Sequence, residues 1–453
     1  MEYFQHLPQA RKKILITLLV GSLFILLDIF RPHTQHPPEK TSDKSINAAE
    51  RYLPLQENPP KDKNNSTDPI HNPNKEEKHE AKHDGHESAP TWLIRLLSSL
   101  WHHSVFFIGI ALCGVAFAAI QFVSAAKWSA YLHRIPENFG SWIYIGGLSL
   151  IGLFFIAQHD IFHWTHTDLY DPASPHYDPI IAGKKAYLNP IFYILRTSVF
   201  VLIWHVLFHK IQKYSTRKPD PFDRKRWRKV VCMSVIFLIF FALSSSVAAW
   251  DWVMSIDTHW FSTMFGWYSF ASWWVASLAL LSLIICSLKK KGYLPHLNDS
   301  HLHDLAKYVF AFSIFWTYIW LSQFLLIYYA NIPEESIYFV ERIRSQPYQN
   351  LFWICVCTNF FVPFLLLMTR NAKRNYLFLQ ISCGIVFLGH WLDFYLLITP
   401  GVLKKYGQIG WMEIGVLLVF LALFLWVFLH RLSRFPLTPK SHPFLKESIQ
   451  HHT

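Results

Sequence analysis

Charged residues are what this sequence has least of. They make up 16% of the 453 residues, against 52% hydrophobic and 17% aromatic, where a soluble domain carries about 25% charge. That shortage excludes an ordinary soluble globular protein. Cysteine is also sparse, and its spacing is uninformative. The six cysteines, Cys113, Cys232, Cys286, Cys355, Cys357 and Cys383, all fall in apolar runs, with no CxxC or CxxCH pattern. A disulfide framework, covalent c-type haem and a cysteine-ligated cluster are therefore not expected. A nucleophile motif, a phosphate loop and an HExxH motif are absent as well. No internal repeat is visible.

What is present is a series of long apolar runs. About ten are long enough to cross a bilayer core of ~30 Å. They lie near 14–30, 104–125, 141–158, 190–209, 231–250, 261–288, 305–329, 349–368, 376–397 and 411–430. Backbone inside lipid must satisfy its own hydrogen bonds, so these runs predict helices and an all-α polytopic membrane protein. The first run has a basic start but no small-residue cleavage site, which predicts an uncleaved anchor over 1–30.

The net charge is +12. Its distribution argues against nucleic acid as a partner. Arg11–Lys13, the loop KYSTRKPDPFDRKRWRK, KKKG, RNAKR and HRLSR occupy every second loop, with Lys184–Lys185 and Lys404–Lys405 as exceptions. This positive-inside pattern predicts cytoplasmic termini, and contact with the lipid bilayer. Residues 31–90 are poor in hydrophobes and rich in proline and charge, which predicts an extracytoplasmic disordered linker. Its His71, His79, His83 and His86 read as a solvated stretch, with metal scavenging as the alternative. A multi-helix membrane domain is expected over 91–434, and a cytoplasmic tail over 435–453.

An ionisable group inside a membrane is costly and therefore a candidate for function. With that topology, an acidic and histidine-rich layer gathers near the outer edge. It holds His159, Asp160 and His163; Asp251, Asp257 and His259; His390 and Asp393; and Glu413. His390 and Asp393 share a helical face, as do His159 and His163. A His–Asp pair can pass a proton. The same groups can also shape turns or cap helices, and both readings stay open. Arg196, His205 and Gln323 lie deeper, and Arg196 is placed to pair with an outer acid. Pro333 with Glu334 and Glu335 reads as a helix start. His301, His303, Asp304 and Lys307 read as a solvated helix start on the inner side. His205 and His390 are the deep histidines, at different depths, which does not suit bis-histidine haem.

Several stretches carry a resemblance. They are SSSVAAWDWVMSIDTHWFSTMFGWYSF, HYDPIIAGKKAYLNPIFYILRT, HLHDLAKYVFAFSIFWTYIWLSQFLLIYYANIPEE, RNAKRNYLFL, GHWLDFYLLITPG and HPFLKESI. Together they resemble the ActF-type membrane subunit of alternative complex III, over roughly residues 92 to 450. The resemblance implies a place in a bacterial quinol:cytochrome c oxidoreductase. It implies kinship with the NrfD/PsrC-like subunits and a fold of four-helix bundles. It implies as partners an ActC-like subunit, an iron–sulfur subunit and c-type cytochromes, with haem and clusters held there. Quinol, with menaquinol the type suggested, and proton conduction are the implied chemistry. From the residues alone, a stand-alone proton- or ion-coupled transporter and a purely structural subunit remain as alternatives.

Overall fold

A computed structural model describes residues 7–30, 91–216, 223–439 and 442–452. The chain divides into two units, Met1–Ile29 with Pro90–Thr453, and Phe30–Ala89. The second unit coincides with the predicted linker, which lies outside the described residues, as do its four histidines.

Long helices make up the first unit. They are α1 (Leu7–Ile29), α2 (Thr91–Val123), α3 (Ile143–Ile161), α4 (Pro190–Thr216), α5 (Arg224–Trp252), α6 (Phe265–Lys290) and α7 (Asp299–Ala330). After them come α8 (Tyr348–Leu366), α9 (Tyr376–Leu403) and α10 (Trp411–Leu432). Among the described residues nine helices are long and apolar enough to span a membrane, all of these except α1. The chain is an all-α polytopic membrane protein. The expected tenth span, α1, differs for a simple reason. Its apolar run from Ile14 to Leu27 is bounded by Arg11, Lys12 and Lys13 on one side and Asp28 on the other, so the uncharged length falls short of the usual ~20 residues.

α2, α6 and α9 are the interior helices. α2 packs on α3, α5, α6, α9 and α10, and α6 packs on α5, α7 and α9. Almost every side chain of α2 and α6 is buried. α1 lies along α10. There Gly21 and Gly415 face each other, and a Cβ on either would stand 2.8 or 2.7 Å from the other's carbonyl oxygen. Small residues at such a contact let two helices approach where the solvent supplies no hydrophobic drive.

α8 is not continuous. Residues Cys357–Phe361 form a π-helical turn between Tyr348–Val356 and Val362–Leu366. Pro363 lacks the N–H that would bond to the carbonyl of Asn359, and the wider turn absorbs that break. The segment after α7 holds the helix Pro333–Ile343, with proline in its first turn and Glu334 and Glu335 beside its N-terminus. That agrees with the helix start expected there.

Two further sequence expectations need correction. α2 begins at Thr91 rather than near 104, because Arg95, His102 and His103 interrupt the hydropathy but are all buried by neighbours. The inner-side group at the start of α7 is not simply solvated. His301 is fully buried and Asp304 nearly so, while Lys307 stays exposed. The C-terminal segment covers them: His451 bonds Asp304 at 2.7 Å, and Ser448 Oγ donates to the Trp128 carbonyl at 2.7 Å.

Candidate functional site

The predicted acids gather at one end of the bundle, and most are locked to arginines. Arg196 of α4 donates to both Asp251 oxygens at 2.6 and 2.8 Å, and the Tyr187 hydroxyl adds a third bond at 2.9 Å. The Arg196 guanidinium also lies 4.1 Å from the Tyr187 ring. Arg196 therefore pairs with an outer acid, as its position suggests. Asp257 accepts from Arg342 Nη2 at 2.8 Å, and Arg342 Nε donates to the Leu396 carbonyl at 2.9 Å. Glu413 takes two bonds from Arg95, at 2.6 and 2.5 Å, while Arg95 Nη1 stands 2.9 Å from Asp28. The bidentate geometry at Asp251 and Glu413 fixes orientation, and at each pair the opposite charges neutralise each other. These acids act as staples between helices.

Asp393 is different. It is 2% exposed, and among the described residues no cation stands within ion-pair distance of it. Its partners are neutral donors from three elements. The Tyr268 hydroxyl of α6 and the Cys355 thiol of α8 (3.8 Å) bond Oδ1, and Trp316 Nε1 of α7 bonds Oδ2 at 3.0 Å. The Cys355 sulfur is in turn approached by Asn359 Nδ2 at 3.3 Å, in the π turn. The break in α8 thus brings a second polar layer behind the carboxylate.

Asp393 lines a cavity of about 30 Å³, measured at the centres of water-sized spheres. Gln323, Tyr338, Arg342 and Cys355 also line it. By the ~10–15 Å³ that one water centre needs, about two waters fit. The Gln323 Oε1 and the Tyr338 hydroxyl have no hydrogen-bond partner within the protein, so both can engage water there. Tyr338 stacks on Trp260 at 3.8 Å and lies under the Arg342 guanidinium at 3.4 Å. Burial raises its hydroxyl well above its usual range, so it stays protonated.

Three predicted residues, Asp393, Gln323 and (through Arg342) Asp257, thus meet at one cavity. His390 is fully buried one turn away, with Nδ1 3.0 Å from Ser272 Oγ. No hydrogen bond joins it directly to Asp393, although the two share a helical face. His159, Asp160 and His163 form a separate surface group; His159 bonds Thr165 Oγ at 3.1 Å and its ring lies tilted beside that of His166. His205 is half-buried beside Tyr144 and His209, not deep in the interior. The deep histidines are His390 with two that the sequence reading left out, His102 and His103. Trp391 Nε1 donates to His103 Nε2 at 2.8 Å, and His102 Nε2 bonds the Trp391 carbonyl at 3.1 Å. Among the described residues, no three His, Cys, Asp or Glu side chains converge as a metal site requires.

No family model matches the chain, and comparison with curated proteins finds no match.

His259 points away from the cavity to Asp178, at 2.6 Å. Asp178 also caps the helix Pro179–Gly183, accepting from Ile180 and Ile181 N–H groups at 2.9 and 3.1 Å. Partial burial pushes its carboxyl up, but the two N–H groups and His259 outweigh this and hold it below its usual range. A depressed carboxylate stabilises above the unfolded-state value and loses that contribution as pH falls through the native one. Amide exchange at Ile180 and Ile181, normalised for intrinsic rate, is therefore expected to accelerate below about pH 4. Asp178→Asn should remove that pH step; a step of equal size in the variant would contradict it.

Proposed function

We propose that this chain is an integral subunit of a quinol:cytochrome c oxidoreductase of the alternative complex III type, in a bacterial inner membrane. Its own part is to take up protons released when quinol is oxidised. The observation that carries the proposal is Asp393: a buried carboxylate with neutral donors only, beside a cavity that holds water. The stapled acids already have arginine as counter-charge. Asp393 has none, so a proton is the counter-ion its site can accept.

The resemblance of GHWLDFYLLITPG supports this reading, because Asp393 lies within that stretch. The charge pattern supports cytoplasmic termini, which puts the Asp393 end outside. Oxidation of one quinol to quinone sends two electrons to the iron–sulfur and haem partners and releases two protons. The Asp393 carboxylate takes one of these through cavity water, while Tyr268 and Trp316 hold it in place. At about 30 Å³ the cavity suits water better than a quinone ring. The geometry therefore favours proton handling over seating the quinol itself, whether menaquinol or another type.

A second reading, a proton-coupled transporter acting alone, draws on the π turn in α8, since transporters use broken helices at their sites. Among the described residues no other span contains such a turn, and paired breaks are the usual pattern. Gentle purification of the tagged chain separates the readings. Co-purifying c-type haem absorbance and iron–sulfur subunits, identified by mass spectrometry, are expected. A colourless, partner-free protein would remove the redox reading and leave the transporter.

A further inference from the structure

The chain leaves α2 abruptly. Ala125 takes a left-handed φ of +49°, a conformation that costs a residue with a Cβ. Residues 124–133 then run without a regular helix, and from Ser129 onward their side chains are buried. Irregular backbone at the end of a membrane bundle persists only where protein or water meets its polar groups. Protein meets several of them. Ser448 Oγ of the C-terminal segment accepts from the Tyr131 N–H at 3.1 Å and donates to the Trp128 carbonyl at 2.7 Å. The Leu132 N–H donates to the Ser129 carbonyl at 2.9 Å.

Beneath this segment lies a cavity of about 10 Å³, measured at the centres of water-sized spheres. Its polar groups come from α2 and from the segment itself, and the parts of its wall that α6 and α7 supply are apolar. Gln121 and His133, each 3% exposed, line it. Gln121 Oε1 has no hydrogen-bond partner, and neither has either ring nitrogen of His133. Ser129 Oγ, on the same wall, donates to the Ala126 carbonyl at 3.2 Å and keeps its lone pairs. Burial, together with His442 and Arg134, holds the His133 imidazole well below its usual value. The ring is therefore neutral, with one N–H and one bare nitrogen.

Orphaned buried polar groups are uncommon, and each is costly. Here two side chains carry them, and both open on one cavity whose size is that of a single water centre, ~10–15 Å³. An ion does not suit the place, because no charged side chain lines the cavity and a desolvated ion needs one. A larger ligand does not fit. We infer that this cavity binds one ordered water, which donates to Gln121 Oε1 and bonds a His133 nitrogen and Ser129 Oγ. Three partners are the usual number for a buried water. Turning the Gln121 amide over would change only the direction of one bond. The water ties the last turn of α2 to the segment that closes this end of the bundle.

The test uses the full chain, purified in detergent and exposed to short X-ray pulses. Hydroxyl radicals formed from a bound water oxidise the side chains beside it, and mass spectrometry reads the oxidised positions. Phe117 and Leu132 line the cavity and are each 3% exposed. They should be oxidised at least ~tenfold faster than Phe106 and Phe107, which are buried and do not line it. After brief mixing with water enriched in heavy oxygen, exposed Tyr406 should take up the heavy isotope while Phe117 and Leu132 still take up the light one. Gln121→Leu replaces the amide with methyl groups and should cut the oxidation of Phe117 and Leu132 by the same factor. If that variant fails to fold, the wild-type contrast decides alone. No excess oxidation at Phe117 and Leu132, heavy oxygen entering there as fast as at Tyr406, or undiminished oxidation in Gln121→Leu overturns the inference.

Discussion

Asp393→Asn is expected to reduce quinol-driven reduction of cytochrome c at least ~100-fold, the low end of what a positioned proton acceptor supplies, in a complex that still assembles. Asparagine keeps the volume of aspartate and an acceptor oxygen for Trp316 or Tyr268, but it cannot carry the proton. One of its N–H bonds will face a former donor, so a modest loss of stability is also expected, about 1–3 kcal/mol for one spoiled buried hydrogen bond. Gln323→Leu should have a smaller effect in the same direction, because it removes a water partner but not the acceptor. Asp251→Asn is the control. It leaves Arg196 without its carboxylate, so it should lower assembly and leave turnover per assembled complex nearly unchanged. Turnover of Asp393→Asn within threefold of wild type would end the proton role and favour a structural subunit.

That contrast between Asp393 and Asp251 was not legible in the sequence. Both are aspartates among tryptophans, and hydropathy places both near the same edge. Their difference lies in partners that are remote along the chain. Arg196 and Asp251 are 55 residues apart, Arg342 and Asp257 are 85 apart, and Arg95 and Glu413 are 318 apart. No local pattern reports such pairs. The helices were legible because an apolar run of membrane length has few other solutions. The reading slipped where polar residues sit inside a span: at α2, where Arg95, His102 and His103 pushed the expected start thirteen residues late. The helix start at Pro333 was legible, but not that its Arg342 anchors the cavity wall. Arginine in WLIRLL, set between isoleucine and leucine, was the available signal for Arg95. Phe352 and Trp320 of the cavity wall read only as membrane aromatics, and nothing in their spacing separates them from the lipid-facing ones.

Arg95→Met is expected to release α1 from the bundle. Asp28 of α1 and Glu413 of α10 meet only through this guanidinium, and all three side chains are at most 5% exposed. Removing the cation leaves two buried carboxylates facing each other, a change that costs about 3–5 kcal/mol when one partner of a buried pair is lost. Replacing the whole triad, Arg95→Met with Asp28→Asn and Glu413→Gln, should recover most of that loss, because a neutral set of similar volume carries no unpaired charge. α1 is also attached by the Gly21–Gly415 contact, where a larger side chain would push the helices apart, and by Phe24 packed edge-on to Trp411. A chain divided at residue 60 and co-expressed as two pieces gives the readout. The wild-type pieces should co-purify, the Arg95→Met pair should separate, and the triple variant should co-purify again. Gly21→Leu should separate the pieces with the triad intact. If the Arg95→Met pieces stay together and the thermal midpoint moves by less than a degree or two, the triad contributes nothing and packing between α1 and α10 holds α1.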